Sequence, residues 1–431
     1  MGIESVQAEE ILDSRGNPTI AAVTRLEDGS TGWAGVPSGA STGKYEAVEL
    51  RDGDKSRYAG AGVQRAVENV NTKISKAVVG LDAQDQRKLD SVMIELDATE
   101  NKANLGANAI LSVSLSAARA QAQSEKKELY EYLTKFNPDF DGKYIMPIPE
   151  MNVMNGGKHA NWATDIQEYM LFPIGARSIV DAVRMNAEIY QILKKIIKDK
   201  GYATTVGDEG GFAPNVATNE EPFQLLSQAI NDAGYVLGKD IGFGIDAAAS
   251  EFYKDGKYHL NKENKTVGSD ELAEFFKDIA TRHPIISMED IFAEDDWDAY
   301  KKFTGSEDDK LQIVGDDMYA TNVKRLQKGI DNKTTNAILI KLNQIGTLSE
   351  TVDAILLARK YGMKSIVSHR SGETEDTFIA DFTVAMGTGQ IKTGAPARSE
   401  RVAKYNRLMG IERQLKDKTV YASTFFDFLK H

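Results

Sequence analysis

Hydrophobic and polar positions follow two different rhythms along this chain, and the change falls early. Residues 6–38 (VQAEEILDSRGNPTIAAVTRLEDGSTGWAGVPS) hold short β-branched runs broken by Arg15-Gly16-Asn17-Pro18 and by Asp28-Gly29. That texture predicts hairpin strands. From Gly62 to Phe136, positions such as Ala107, Ile110, Leu111, Ser114, Leu115 and Ala118 recur at three- and four-residue spacing, which predicts helices. Strands followed by a block of helices make an α+β unit. The turn-rich segment 137–143 (NPDFDGK) marks a boundary, giving an N-terminal α+β domain at 1–138 and a second domain at 139–431.

Past the boundary the texture is different. Ser178-Ile179-Val180-Asp181 has capping-box spacing, and Val183, Ala187, Tyr190 and Ile197 continue one helical face until Gly201. Short apolar runs then recur, and most end in charged or polar residues: GFGIDAAASE, PIISMEDIF, LQIVGDDMY, AILIKLNQIG, KSIVSHRSGE and GQIKTGAPARSE. Their functional-looking residues are Asp246, Glu289, Asp316, Lys341, His369 and Lys392, at intervals of 43, 27, 25, 28 and 23 residues. After the first, these are strand–helix repeat lengths, and Ser349–Tyr361 between two of the runs reads as helix. Continuous apolar strands suit a parallel sheet buried on both faces. Polar groups at successive strand ends are where an α/β barrel places its chemistry. The 431 residues accommodate one small domain plus one barrel as well as three ordinary domains.

Composition narrows the chemistry. With 64 acidic against 52 basic side chains the net charge is −12, which argues against nucleic acid or anionic membrane as a partner. Zero cysteines exclude disulfides, thiol nucleophiles and cysteine metal sites. Any metal falls to carboxylates, backbone oxygens or one of five histidines. There is no apolar run of membrane-spanning length and no basic-then-apolar leader, so the expectation is a cytoplasmic protein.

Asp246, Glu289 and Asp316 would converge on one barrel mouth, where three carboxylates repel unless they hold a hard divalent cation; oxygen ligands suit Mg²⁺. Any one of them could instead cap the helix that follows. Lys341 lies in the most apolar run, and burial there is expected to lower its pKa toward a neutral amine, a base for a carbon-bound proton. A structural ion pair is the alternative. Arg370 with Ser371 suits a phosphate. The loop GASTGK at 39–44 fails as a P-loop, having three residues between its glycines and Tyr45 after the lysine. In VGDEGGFAP, Glu209 is either a general acid or a solvated turn residue.

Several longer motifs are more specific: SGASTG at 38–43, MNGGKHA at 154–160, Gln167-Glu168, GDEGGFAP at 207–214, KLNQIGT at 341–347, SHRSGETEDTFIAD at 368–381 and IKTGAPARSER at 391–401. On these the chain resembles the enolase (phosphopyruvate hydratase) family, bacterial type, along essentially its whole length. The resemblance implies an N-terminal α+β domain on an eight-stranded α/β (TIM-like) barrel whose first strands depart from strict alternation. It implies reversible dehydration of 2-phosphoglycerate to phosphoenolpyruvate. One Mg²⁺ would sit on Asp246, Glu289 and Asp316, and a second would arrive with substrate and touch Ser41. Lys341 would be the base at carbon 2 and Glu209 the acid at the carbon 3 hydroxyl, with Glu168 and His159 beside it. Gln167, Arg370, Ser371 and Lys392 would hold the substrate, and His369 would help close the site. A homodimer or an octamer built as a ring of dimers is implied. Departures occur at Ile291, Trp162, Tyr169 and Met318-Tyr319, none of them a ligand or catalytic position. Two other readings are a relative acting on a non-phosphorylated acid, which Arg370-Ser371 disfavours, and a secondary cell-surface role in binding host proteins through the lysines of YKDGKYHLNKENK at 253–265.

Overall fold

The computed structural model describes residues 1–40 and 43–423. Strands β1 (Ile3–Leu12), β2 (Pro18–Leu26) and β3 (Thr31–Gly35) form an antiparallel meander, turning at the two glycine-containing segments expected to do so. Helices α1 (Gln86–Asp97) and α2 (Ala107–Ser124) follow. A helix apolar on all sides must be buried on all sides, and α2 is covered along almost its whole length. It approaches the meander so closely that a Cβ on Gly32 would lie 2.1 Å from the Ser116 carbonyl oxygen. Its serines are satisfied rather than stranded: Ser116 Oγ meets Thr24 Oγ1 at 2.7 Å and Ser114 Oγ accepts from Gln86 Nε2 at 3.1 Å.

Eight strands close a barrel: β4 (Ile148–Asn155), β5 (Glu168–Phe172), β6 (Gly242–Asp246), β7 (Ile285–Glu289), β8 (Gln312–Gly315), β9 (Ala337–Ile340), β10 (Lys364–Ser368) and β11 (Gln390–Lys392). Neighbours run parallel except that β5 is antiparallel to both β4 and β6. The departure from strict alternation is this reversed strand, which follows β4 with no α-helix between them and is itself followed by two helices, Ile179–Asp199 and Glu221–Asp232, before β6. The 43-residue first interval is also explained, because a small three-stranded sheet at 253–267 precedes the helix Ser269–Arg282 between β6 and β7. It carries the lysine-rich segment, with Lys254, Lys257 and Lys265 exposed.

The two parts share one continuous core, and polar groups stitch them together. Helix α3 (Leu348–Lys360) is capped by Thr347, whose side chain accepts from the Glu350 amide. Its other first-turn amides are satisfied from across the chain: Leu348 N donates to Ser114 Oγ at 3.0 Å and Ser349 N to Asp90 Oδ2 at 2.9 Å. Helix starts leave such donors orphaned, so α1 and α2 complete what the barrel helix cannot supply itself. Inside the barrel, Gln312 and Gln390 exchange reciprocal amide bonds at 2.8 and 2.9 Å, and Gln312 also donates to Ser287 Oγ at 3.0 Å. Among the described residues no helix is long and apolar enough to cross a membrane.

One barrel residue is out of keeping with its surroundings. Glu150 in β4 is 1% exposed, pairs in register with Lys392, and its Oε1 has no hydrogen-bond partner. Burial pushes its carboxyl up to about 8, against the pull of Lys392. An unfolded chain ionises this group near its ordinary value of 4.5, so native stability is lost as pH rises from there to about 8. Glu150→Gln is expected to match the parent near pH 4 and to exceed it at pH 7 by up to about 3 kcal/mol. Denaturant titrations across that range test this; equal pH slopes for the two proteins would refute it.

Candidate active site

The barrel mouth is built by chain reversal as much as by repeat. Asp246, Glu289 and Lys392 are the last residues of β6, β7 and β11, while Asp316, Lys341 and His369 each follow directly on β8, β9 and β10. Glu168 opens a strand instead of closing one. Because β5 runs backwards, its first residue still lies at the mouth, in register with Asn155 and Asp246. Glu209 comes from a loop that β4 captures: Asn155 N donates to Phe212 O at 2.8 Å and Phe212 N to Val153 O at 2.9 Å. Glycine is required there. Gly210 has φ +87°, and a Cβ on Gly211 would lie 2.6 Å from Asn155 Oδ1.

These residues line one cavity, whose wall includes His159, Gln167, Glu168, Glu209, Asp246, Asp316, Lys341, His369, Arg370, Ser371 and Lys392. Glu289 joins them through Lys392, whose Nζ donates to its Oε1 at 2.9 Å. The structure thus brings together every predicted site residue except Ser41, which lies outside the described residues. It adds some that sequence reading passed over. Glu46, Glu251, Asp290 and Asp317 also line the cavity, and Asn152 holds Glu209 Oε2 through its Nδ2 at 2.9 Å. Asp290 and Asp317 had a visible signal, each being the second acid of a strand-end pair. Asn152 had none, since it is a mid-strand residue whose partner is 57 positions away.

Eight carboxyl groups and only three permanent cations line this cavity, five more acids than cations. Each cation is already engaged. Lys392 Nζ lies 2.9–3.2 Å from Glu289, Glu168 and Asp246; burial pushes its pKa down, but these carboxylates raise it well above the ordinary lysine value. Arg370 Nη1 pairs with Glu46 at 2.9 Å and donates to Asn343 at 2.9 Å. Lys341 Nζ is paired with Asp316. This corrects one expectation. Burial does push Lys341 down, but the Asp316 charge outweighs it, so the side chain is held as an ammonium. At 15% exposure its head is also less dry than the apolar run implied.

The carboxylates respond to the crowding. Burial and then Asp246 raise Glu289 well above the usual range, and burial and then Glu209 do the same for Glu168. Asp290, raised by burial, Asp316 and Asp246, reaches about 8. Its two oxygens accept the amides of Asp316 and Asp317 at 2.9 and 3.0 Å, so it orients the acids beside it. Ligand atoms of Asp290, Asp316 and Asp317 lie within 4.8 Å of one another, as do those of His159, Glu168 and Glu209. The first group is all oxygen and suits a hard divalent cation. In the second, the Asn152 amide already occupies Glu209 Oε2, which leaves that group better suited to proton chemistry.

The departures noted in the sequence are accommodated. Tyr169 is buried, its hydroxyl donating to Asn219 O at 3.0 Å. Tyr319 sets its hydroxyl between Thr334 and Thr335 at 2.9 and 2.7 Å. Ile291 is fully covered and Trp162 is 37% exposed.

Fold and site define a barrel enzyme whose carboxylates, lysines and histidines meet at the strand carboxyl ends. Two family models match the chain: Enolase, N-terminal domain, over residues 3–133, and Enolase, C-terminal TIM barrel domain, over residues 143–428. The chain belongs to the enolase family, a family of lyases that use a divalent metal, and the excess of acids in the cavity fits such an ion. A divalent cation at 100 times its dissociation constant should stabilise the chelated protein by about 2.7 kcal/mol. Calorimetric unfolding with and without the ion tests this, and Asp316→Asn should reduce the gain. An unchanged midpoint would remove the cation from this site.

Proposed function

We propose that this protein catalyses the reversible, Mg²⁺-dependent dehydration of 2-phosphoglycerate to phosphoenolpyruvate in glycolysis and gluconeogenesis. The observation that carries this reading is the disposition of Lys341 and Glu209. They approach one cavity from walls three strands apart, with Arg370, Ser371 and Lys392 also lining it. A proton leaving carbon 2 and a hydroxide leaving carbon 3 need a base and an acid on different sides, and side chains on two separate walls support that division of roles.

Asp246, Glu289 and Asp316 are the residues we assign to the first Mg²⁺, and Ser41 to a second that comes with substrate. Mg²⁺ supplies positive charge where a second negative charge develops on the substrate carboxylate. Lys341 is an ammonium while Asp316 pairs with it, so its role as base requires Asp316 to be engaged elsewhere; burial then favours the free amine. Lys392 and Gln167 face the carboxylate. Arg370 and Ser371 hold the phosphate, with Arg370 released from Glu46 or sharing it. Glu209 protonates the departing hydroxyl, with Glu168 and His159 at its side and His369 covering it. Sites of the enolase superfamily generally use a Lys or His base with one or two Mg²⁺, and that pattern supports this allocation.

Residues 1–138 are read as the cap and 139–431 as the catalytic barrel, a division supported by the gap between the two family matches. A cytoplasmic homodimer or octamer is the assembly we propose, and exposed Leu12 and Val23 on the meander are apolar surface that a second copy would cover. Light scattering decides between these states.

The two halves of the reaction separate in mutants. Lys341→Ala should abolish exchange of the carbon 2 proton with deuterium oxide, followed by proton NMR. Glu209→Gln should keep that exchange while enol formation, followed by ultraviolet absorbance, falls by about a hundred- to ten-thousand-fold. Normal exchange in Lys341→Ala, or its complete loss in Glu209→Gln, would overturn the assignment. Arg370→Ala should weaken phosphorylated substrates by about 2–5 kcal/mol. A retained preference for them over plain 2-hydroxy acids would place the phosphate elsewhere.

A further inference from the structure

Arg401 lies in the helix Ser399–Leu415 and is 0% exposed. Its guanidinium is engaged by the loops that carry the site. Nη1 donates to Arg370 O at 2.6 Å, and Nη2 to Ser371 O at 2.5 Å and Asp208 O at 3.1 Å. Nη1 also reaches His369 Nδ1 at 2.5 Å. A guanidinium has five donors, no acceptor, and does not deprotonate in proteins. The imidazole nitrogen facing it must therefore be the one without a proton. That leaves the ring proton on Nε2, which is buried, has no hydrogen-bond partner among the described residues, and faces Glu209 Oε2 at 3.6 Å.

The charges around the ring agree. His369 faces Glu209 on the captured loop, Arg401 on its helix, Lys392 on β11 and Lys341 after β9. Burial, then the cations, lower its pKa well below the ordinary value, against the opposite pull of Glu209. Burial raises Glu209, while facing positive charge from His369, His159, Arg401 and Lys392 would hold it well below the usual range. The two directions are coupled, since a neutral His369 gives up its share of that attraction. Within the pair the neutral histidine is the direction we hold to, because Arg401 leaves Nδ1 no room for a proton.

We propose that Arg401 is a positioning residue that locks His369 as the neutral Nε2–H tautomer, so that the histidine offers a fixed hydrogen-bond donor beside Glu209 and takes no proton itself. Resting on the function proposed above, that donor is held for the oxygen that leaves carbon 3. For Glu209 rather than the imidazole to supply the proton that oxygen needs, the carboxylate must first take one up, which burial favours and the charges of Arg401 and Lys392 oppose. Asn152 Nδ2 donates to the same carboxylate oxygen, Oε2, at 2.9 Å.

The test reads the tautomer directly, in the full chain without substrate. Histidine ring nitrogens are followed by long-range proton–nitrogen correlation with ¹⁵N-labelled histidine, and the spectrum of His369→Asn assigns the His369 signals among the five histidines by their absence. The expected result is the Nε2–H pattern for His369, unchanged from about pH 5.5 to 8.5, a range in which an ordinary histidine titrates. An Nδ1–H pattern, or a titration within that range, overturns the proposal. Arg401→Lys keeps the charge but loses the rigid fork. In that variant His369 should show mixed tautomers and begin to titrate, and the pH profile of kcat should gain an inflection while KM changes little. A folded Arg401→Lys whose His369 signals match the parent also overturns it. Should the variant not fold, the parent spectrum alone decides. Absence of activity on 2-phosphoglycerate with the expected tautomer would remove the reaction and leave the Arg401 assignment standing; the reverse outcome would do the opposite.

Discussion

Like charges confined to a poorly solvated mouth are the constraint on which the site is built. Eight carboxyl groups face three permanent cations across one cavity, and ion pairing alone cannot balance them. The protein relieves part of the repulsion by pairing every lysine and arginine there with an acid, as Lys392 does with three. It relieves another part by raising pKa values, as at Glu289 and Glu168. What remains is a site predisposed to cations, in which the protonation of each group depends on what its neighbour is bound to. Lys341 is the plainest case, an ammonium because of Asp316 and not because of its own surroundings.

Such a site needs rigid walls, since a carboxylate that moved into solvent would lose its perturbed chemistry. The rigidity comes from satisfied polar groups around the cavity. Asp290 directs both oxygens to the backbone of its neighbours. Arg401 ties three carbonyls and an imidazole together through one guanidinium. The N-terminal unit contributes as well, because its Asp90 and Ser114 complete the first turn of a barrel helix that follows Lys341 within a few residues.

Much of this was legible in the chain. The 23–28-residue rhythm of strand ends located Glu289, Asp316, Lys341, His369 and Lys392, because repeating strand–helix units place equivalent residues at equivalent heights. Half of the capping box at Ser178 is made, its side chain accepting from the Asp181 amide at 3.0 Å, while the Asp181 carboxylate turns to the Arg177 amide instead of closing the box. The helix expected at 349–361 runs from Leu348 to Lys360. Motif-level resemblance carried the rest of the site, including Glu168 and Glu209, which no periodicity would have found.

What the sequence determined by itself was the inventory: which residues end strands, which turns hold glycine, and that Asp246, Glu289 and Asp316 would converge at one end of a barrel. These follow from local rules of spacing and backbone freedom. Only the tertiary structure decided the reversal of β5 that carries Glu168 to the mouth, the capture of the Glu209 loop by β4, and the pairing of Lys341 with Asp316. Each depends on groups distant in the chain meeting at a few ångströms, and electrostatic energy in a buried site is set by those distances, which sequence spacing does not contain.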